Sequence, residues 1–200
     1  MTYIVGLTGG IGSGKSAASA WFQQQDILVV DADIVAREVV EVGQPALIEI
    51  QKHFGDWVLD EQGCLNRSAL RDYIFKHPEA RQQLEAITHP VIRNSIIQQL
   101  NQASSPYAIL ASPLLFETDQ HLLCQRSLLI EVPVELQLVR TSQRDGQSRE
   151  QIERIIAVQM PRLEKQKRAH DIVDNSGTLE DLYQQLQPLH EHYLQLATSI

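Results

Sequence analysis

The chain has 200 residues, 43% of them hydrophobic, and its 17 Lys and Arg against 25 Asp and Glu leave a formal charge of −8. That length suits one domain, or a domain with insertions, and lets roughly 70% of the unfolded surface be buried without a disulfide or metal staple. The acidic balance argues against a coat for nucleic acid or an anionic membrane; no apolar run nears the ~18 residues of a membrane span and no basic leader precedes the first strand, so a cytoplasmic protein is expected.

Residues 2–8 (TYIVGLT) are apolar or β-branched at nearly every position, the pattern of a strand buried on both faces. Glycines 9, 10, 12 and 14 follow, then a helical pattern over 15–25 and a second strand over 27–31. Strand, turn, helix, strand is one βαβ unit and implies a parallel sheet. From 34 to 102 helical spacing dominates (34–42, 45–53, 66–76, 79–101), with a turn at 60–66 and Pro90 expected to kink or divide the last helix. This block is long for a crossover and reads as an inserted helical subdomain. Strands resume at 107–112 and 127–132, helices fill 134–168, and a short strand covers 171–174. Thr178 and Asp181 then fit an N-cap signature for a helix over 179–198. The expected fold is α/β, three-layered, with about five parallel strands. Cys64 and Cys124, sixty residues apart, are expected as two buried thiols behaving as small hydrophobes.

Gly9-Gly10-Ile11-Gly12-Ser13-Gly14-Lys15-Ser16 matches GxxxxGK[ST] in full, between a strand and a helix. Its glycines let successive backbone N–H groups aim at one anion, and the following helix adds its positive end. Lys15 suits the β- and γ-phosphates as a point charge, and the Ser16 hydroxyl suits Mg²⁺. A nucleotide site follows. The absence of an NKxD element argues against a GTPase, and a small-molecule kinase is favoured over a P-loop switch or assembly factor. Asp31 and Asp33, two apart at the end of the second strand, are expected to share a face toward the nucleotide crevice. They are candidates for a base or a Mg²⁺ ligand; the competing reading makes Asp33 a helix N-cap.

With these residues in place, the chain resembles the dephospho-coenzyme A kinase family. The resemblance rests on IVGLTGGIGSGKS, VVDADIVAREVV, His89-Pro90 with Arg93, Pro113-Leu114-Leu115-Phe116-Glu117, Arg140-x-x-x-Arg144-Asp145 and IVDNSG at 172–177. It implies a P-loop kinase-like fold, core at 1–33, 103–139 and 169–200, with a CoA-binding subdomain at 34–102 and a lid at 140–168. It implies transfer of the ATP γ-phosphate to the ribose 3′-hydroxyl of dephospho-CoA, the last step of coenzyme A synthesis. Gly12, Ser13, Gly14, Lys15, Ser16 and Ala17 would bind ATP, Asn175 would lie near adenine, and Asp33 would be the base. Arg140 would clamp the transferring phosphate, while His89, Arg93 and Glu117 would lie near the acceptor; for Glu117 a structural salt bridge competes with that role. Two departures stand out: Ala17 replaces a frequent Thr, and the strand at 107–112 ends on Ser112 without a carboxylate, leaving the second protein contact to Mg²⁺ to Asp31, Asp33 or water.

The segment 140–168 carries eight basic residues against four acidic ones, so the rest of the chain is at −12. The basic segment reads as an arginine-bearing lid, or as a solvated helix pair with ion pairs such as Glu150–Arg154. Arg140 and Arg144, four apart, share a helix face. His190 and His192 are two apart on a helix, a spacing that does not suit a shared metal.

Overall fold

The computed structural model describes residues 2–199. In chain order the elements are β1 (Tyr3–Gly9), α1 (Lys15–Gln24), β2 (Leu28–Asp31), α2 (Ala32–Glu38), α3 (Pro45–Phe54), α4 (Arg67–Lys76) and α5 (Pro78–Asn101). They continue with β3 (Tyr107–Ala111), β4 (Arg126–Glu131), α6 (Val134–Asp145), α7 (Arg149–Val158), α8 (Arg162–Arg168), β5 (Asp171–Asp174) and α9 (Leu179–Ala197). The chain divides into two compact units, one of Met1–Asp31 with Leu100–Ile200 and the other of Ala32–Gln99.

The first unit holds a parallel sheet in the order β2-β3-β1-β4-β5. β1 is central, which is why its sequence is apolar at almost every position. Its two faces are read off the alternation. Tyr3, Val5 and Leu7 join Tyr107, Ile109, Leu128 and Ile130 in a core sealed by Ala18, Trp21 and Phe22 of α1 and Leu182, Leu186 and Tyr193 of α9. The apolar stripe of α9 is therefore core. On the opposite face, a Cβ added to Gly6 would lie 2.7 Å from Leu115 Cδ2 and 3.0 Å from Cys124 Sγ, so glycine is required there by close packing. His190 is tied to the core by the Tyr107 hydroxyl, 2.7 Å from its Nδ1.

The second unit is helical. Val35 of α2, Leu47 and Ile50 of α3, Leu70 of α4 and Ile96 of α5 are buried. Pro90 does not divide α5, which runs unbroken for 24 residues. Proline removes one N–H from the ladder, but buried Ala80 and Ile96 anchor the helix on either side of it. In the 60–66 turn, Asp60 accepts from the N–H groups of Gln62 and Cys64, and Leu59 bridges Leu65. This turn leaves Cys64 exposed, contrary to expectation; only Cys124 is the partly buried small hydrophobe, its thiol pushed up to about 12 by burial.

The basic segment forms three helices. Gly146, in the left-handed region at φ 65, ends α6, and a reciprocal Ser148–Gln151 cap starts α7. Arg149 pairs with Glu153 and Glu135, so the ion pairing on α7 differs from the expected Glu150–Arg154.

Candidate active site

The loop 9–16 joins the end of central β1 to α1. Gly12 and Gly14 have φ of 69 and 96, conformations that L side chains rarely adopt. Gly14 is the N-cap of α1 and no side chain caps that end. The Ser13 N–H folds back to the Gly10 carbonyl at 3.1 Å. Among the described residues, the N–H groups of Gly12, Gly14, Lys15 and Ser16 donate to no protein group. Four donors around one loop at a helix N-terminus form an anion cradle.

Lys15 reaches from this cradle to Asp31, Nζ to Oδ2 3.2 Å, at the carboxyl end of β2. Both side chains are mostly buried. The expected shared strand face of Asp31 and Asp33 is not what forms. β2 ends at Asp31 and α2 starts at Ala32, so Asp33 stands in the first turn of a helix, where alternation does not apply. A carboxylate there favours the positive helix end.

Three further elements of the same unit meet the loop. From α6, Gln137 packs on Gly10 and Thr141 on Gly12; a Cβ on Gly12 would lie 2.7 Å from Thr141 Oγ1 and 2.9 Å from Gln137 O. From the α7–α8 connection, Gln159 Oε1 accepts from the Ile11 N–H at 3.4 Å. After β5, the Asn175 side chain donates to the Ser13 carbonyl at 2.8 Å. A cavity of about 110 Å³ beside Gly10 is lined by Gln137, Gln159, Arg162 and Lys165.

Arg140, on α6 with Thr141, is half-buried, and among the described residues it has no hydrogen-bond or ion-pair partner. Arg144, one turn on along α6, forks its guanidinium onto Asp145 at 2.7 Å in both bonds. That fork holds the Asp145 carboxyl below its usual range. Glu117 forms the salt bridge that competed with a place near the acceptor. Its Oε1 accepts from the Met160 N–H at 2.9 Å and lies 3.2 Å from Lys165 Nζ, whose side chain is 4% exposed. This carboxylate anchors the root of the basic segment. Glu131, at the end of β4, accepts a fork from Arg162, which together with a Gln166 bond outweighs burial and holds it below its usual range.

In the second unit, His89 and Arg93 lie one turn apart on α5 and are exposed. The unit's cavity, about 430 Å³, is lined from α5 instead by Leu84, Thr88 and Ile92, the neighbouring face of the helix. Its cationic groups are Arg37, Arg67 and Arg71, above apolar Ile50, Leu70 and Ile74. Sequence reasoning missed these arginines. The usable signal was Arg67 and Arg71, four apart on one helix beside Leu70 and Ile74.

Residues 3–181 match the family model described as dephospho-CoA kinase. A dephospho-CoA kinase of Acinetobacter baylyi is 69% identical over 192 residues, 96% of this chain and 98% of that relative. One of Psychrobacter cryohalolentis is 49% identical over 202 residues, spanning all of this chain and 88% of the relative. Among solved structures, a dephospho-CoA kinase from Campylobacter jejuni superposes with a TM-score of 0.74 at 27% identity, covering 98% of each chain. A shikimate kinase from Acinetobacter baumannii, at 15% identity and a TM-score of 0.52, shares the fold alone. An intact phosphate cradle at the end of a central parallel strand, and a match over nearly the whole length, place the chain in the dephospho-CoA kinase family.

Proposed function

We propose that the chain transfers the γ-phosphate of ATP to the ribose 3′-hydroxyl of dephospho-CoA, releasing ADP and CoA, with the following division of labour. The observation that carries the reading is the cradle of unengaged N–H groups with Lys15 at its edge, in a chain matching one kinase family over residues 3–181. The N–H groups of Gly12, Gly14, Lys15 and Ser16 hold the β- and γ-phosphates, and Ala17 follows in the first turn. Lys15 turns from Asp31 toward the phosphate oxygens. Asp33 orients the 3′-hydroxyl and accepts its proton as the O–P bond forms and the bond to the ADP oxygen breaks. Only Ala32 separates Asp33 from Asp31 at the end of β2. Arg140, half-buried and unpaired among the described residues, neutralises charge on the transferring group from a lid at 140–168.

The oxygen donors fit Mg²⁺. The Ser16 hydroxyl and the Asp31 carboxylate are hard ligands in the number Mg²⁺ takes from protein when phosphates and water complete its shell. When bound, Mg²⁺ would supply charge neutralisation on the phosphates. The cavity of the second unit suits the acceptor: Arg37, Arg67 and Arg71 match its diphosphate, and Ile50, Leu70 and Ile74 match its pantetheine arm. The segment 34–102 is thus the acceptor subdomain. No described helix is long and apolar enough to cross a membrane, and the −8 charge supports action on a small molecule in the cytoplasm, with no nucleic-acid or membrane partner. The reading takes the chain as a monomer or weak homo-oligomer.

The test is purified protein with Mg-ATP and dephospho-CoA, product followed by mass and by ³¹P NMR. A new 3′-phosphomonoester with stoichiometric ADP is expected. Ready phosphorylation of another metabolite with none on dephospho-CoA overturns the reading.

A further inference from the structure

We propose that Asn175 acts as a positioning residue for the phosphate cradle, through the Ser13 peptide, and that its effect on nucleotide binding is exerted on the triphosphate and not on the base. Asn175 directly follows β5. Its own N–H donates to the Glu131 carbonyl at 2.8 Å, extending the β4–β5 ladder by one bond. On its other side, the Asp174 carboxylate accepts from the Ser176 N–H at 2.8 Å and closes the turn. The backbone is therefore set on both sides of Asn175, and its side chain is delivered to one place.

That place is the underside of the cradle. Nδ2 donates to the Ser13 carbonyl at 2.8 Å, across 162 residues of sequence, and the residue is 7% exposed. A peptide unit is planar and trans, so its C=O and N–H point in opposite directions. Holding the Ser13 oxygen toward Asn175 aims the Gly14 N–H the other way, and that N–H is one of the four that donate to no protein group among the described residues. Gly14 shows the same dependence from its own side. It sits at φ 96, and a Cβ built on it would collide with Asn175 Nδ2. The space beside Gly14 thus belongs to the Asn175 side chain. With Nδ2 so engaged and the residue buried, Asn175 acts on the anion through Ser13 and Gly14.

This rests on ATP as the phosphoryl donor, and the test separates the two by measuring binding without turnover. Affinities for ATP, inorganic tripolyphosphate and adenosine are measured by calorimetry for the parent chain and for Asn175→Ala. The expected result is a fall of about tenfold for ATP and for tripolyphosphate alike, the size of one lost hydrogen bond to a buried carbonyl, with adenosine unchanged. A fall confined to ATP and adenosine assigns the residue to the base and overturns the proposal, as does no fall at all. Should Asn175→Ala not fold, the parent protein gives the same decision. Tripolyphosphate, which has no base, is expected to shift the Asn175 side-chain and Gly14 amide resonances together; an unmoved Asn175 signal overturns it. Failure of dephospho-CoA phosphorylation would leave these binding results standing.

Discussion

Lys15 meets Asp31 at 3.2 Å with side-chain exposures of 13% and 23%. A compact ammonium at that depth is poised to exchange one anionic partner for another as phosphates enter. Replacing it removes charge from the cradle without disturbing the glycines. Lys15→Ala is expected to lower kcat at least about a hundredfold, and Lys15→Arg not to restore it, because a planar fork does not fit a point-charge site. Asp33→Asn retains shape and loses proton affinity. It is expected to lower kcat by about 10²–10⁴ while ATP affinity, read by calorimetry, holds. A parallel collapse of ATP binding would move Asp33 to a metal role.

At the scale of elements, two contacts hold the first unit's loops to its sheet. Gly6 of β1 lies beneath Leu115, which is fully buried and has no room to retreat. Gly6→Ala is expected to cost about 1–3 kcal/mol in urea unfolding through overpacking, and Leu115→Ala in the same chain to recover part of that loss. The Glu117–Lys165 pair fastens α8 and the α7–α8 connection at Met160. Lys165 Nζ and Glu117 Oε2 are buried and lack aligned hydrogen bonds. Lys165→Ala is therefore expected to destabilise by about 3 kcal/mol, by stranding a carboxylate, whereas Lys165→Met with Glu117→Gln costs less. If the two variants unfold alike, the pair is not what fastens the segment.

For the whole molecule, stability should weaken in acid in two stages. Burial lowers the affinity of His190 for a proton. The unfolded chain then takes up that proton more readily, so stability present above the ordinary value of 6.5 is lost as the pH falls below it. Asp171 follows at lower pH. Burial pushes its carboxyl up, but the Arg126 fork, the Tyr193 hydroxyl and the Arg126 charge prevail and leave it below 3.8, so its contribution is present above that value and lost beneath it. His190→Gln is expected to flatten the upper stage in pH-dependent unfolding and leave the lower one; Asp171→Asn should leave the upper stage and shrink the lower one, which the Glu131 carboxyl shares. The −8 total conceals a further division: a segment of +4 at 140–168 and −12 elsewhere.

The sequence alone determined the alternation of strands and helices, the cradle at 9–16 and the helical character of 34–102, because each is written in local spacing: apolar runs, four glycines before Lys15, and 3.6-residue periodicity. It also marked Thr178 as a cap, and the reciprocal Thr178–Asp181 bonds form. What only the tertiary structure decided are partnerships set by register and approach. β2 stops at Asp31, so Asp33 belongs to a helix. Glu117 turns to Met160 and Lys165, some forty residues on, and not outward. Asn175 reaches Ser13 because β5 lies beside β4 in one particular register. Arg37 of α2 and the α4 pair Arg67 and Arg71 converge on one cavity. No local pattern encodes such pairs: a side-chain contact across scores of residues exists only after the backbone has packed, and its identity depends on atoms that the sequence does not place side by side.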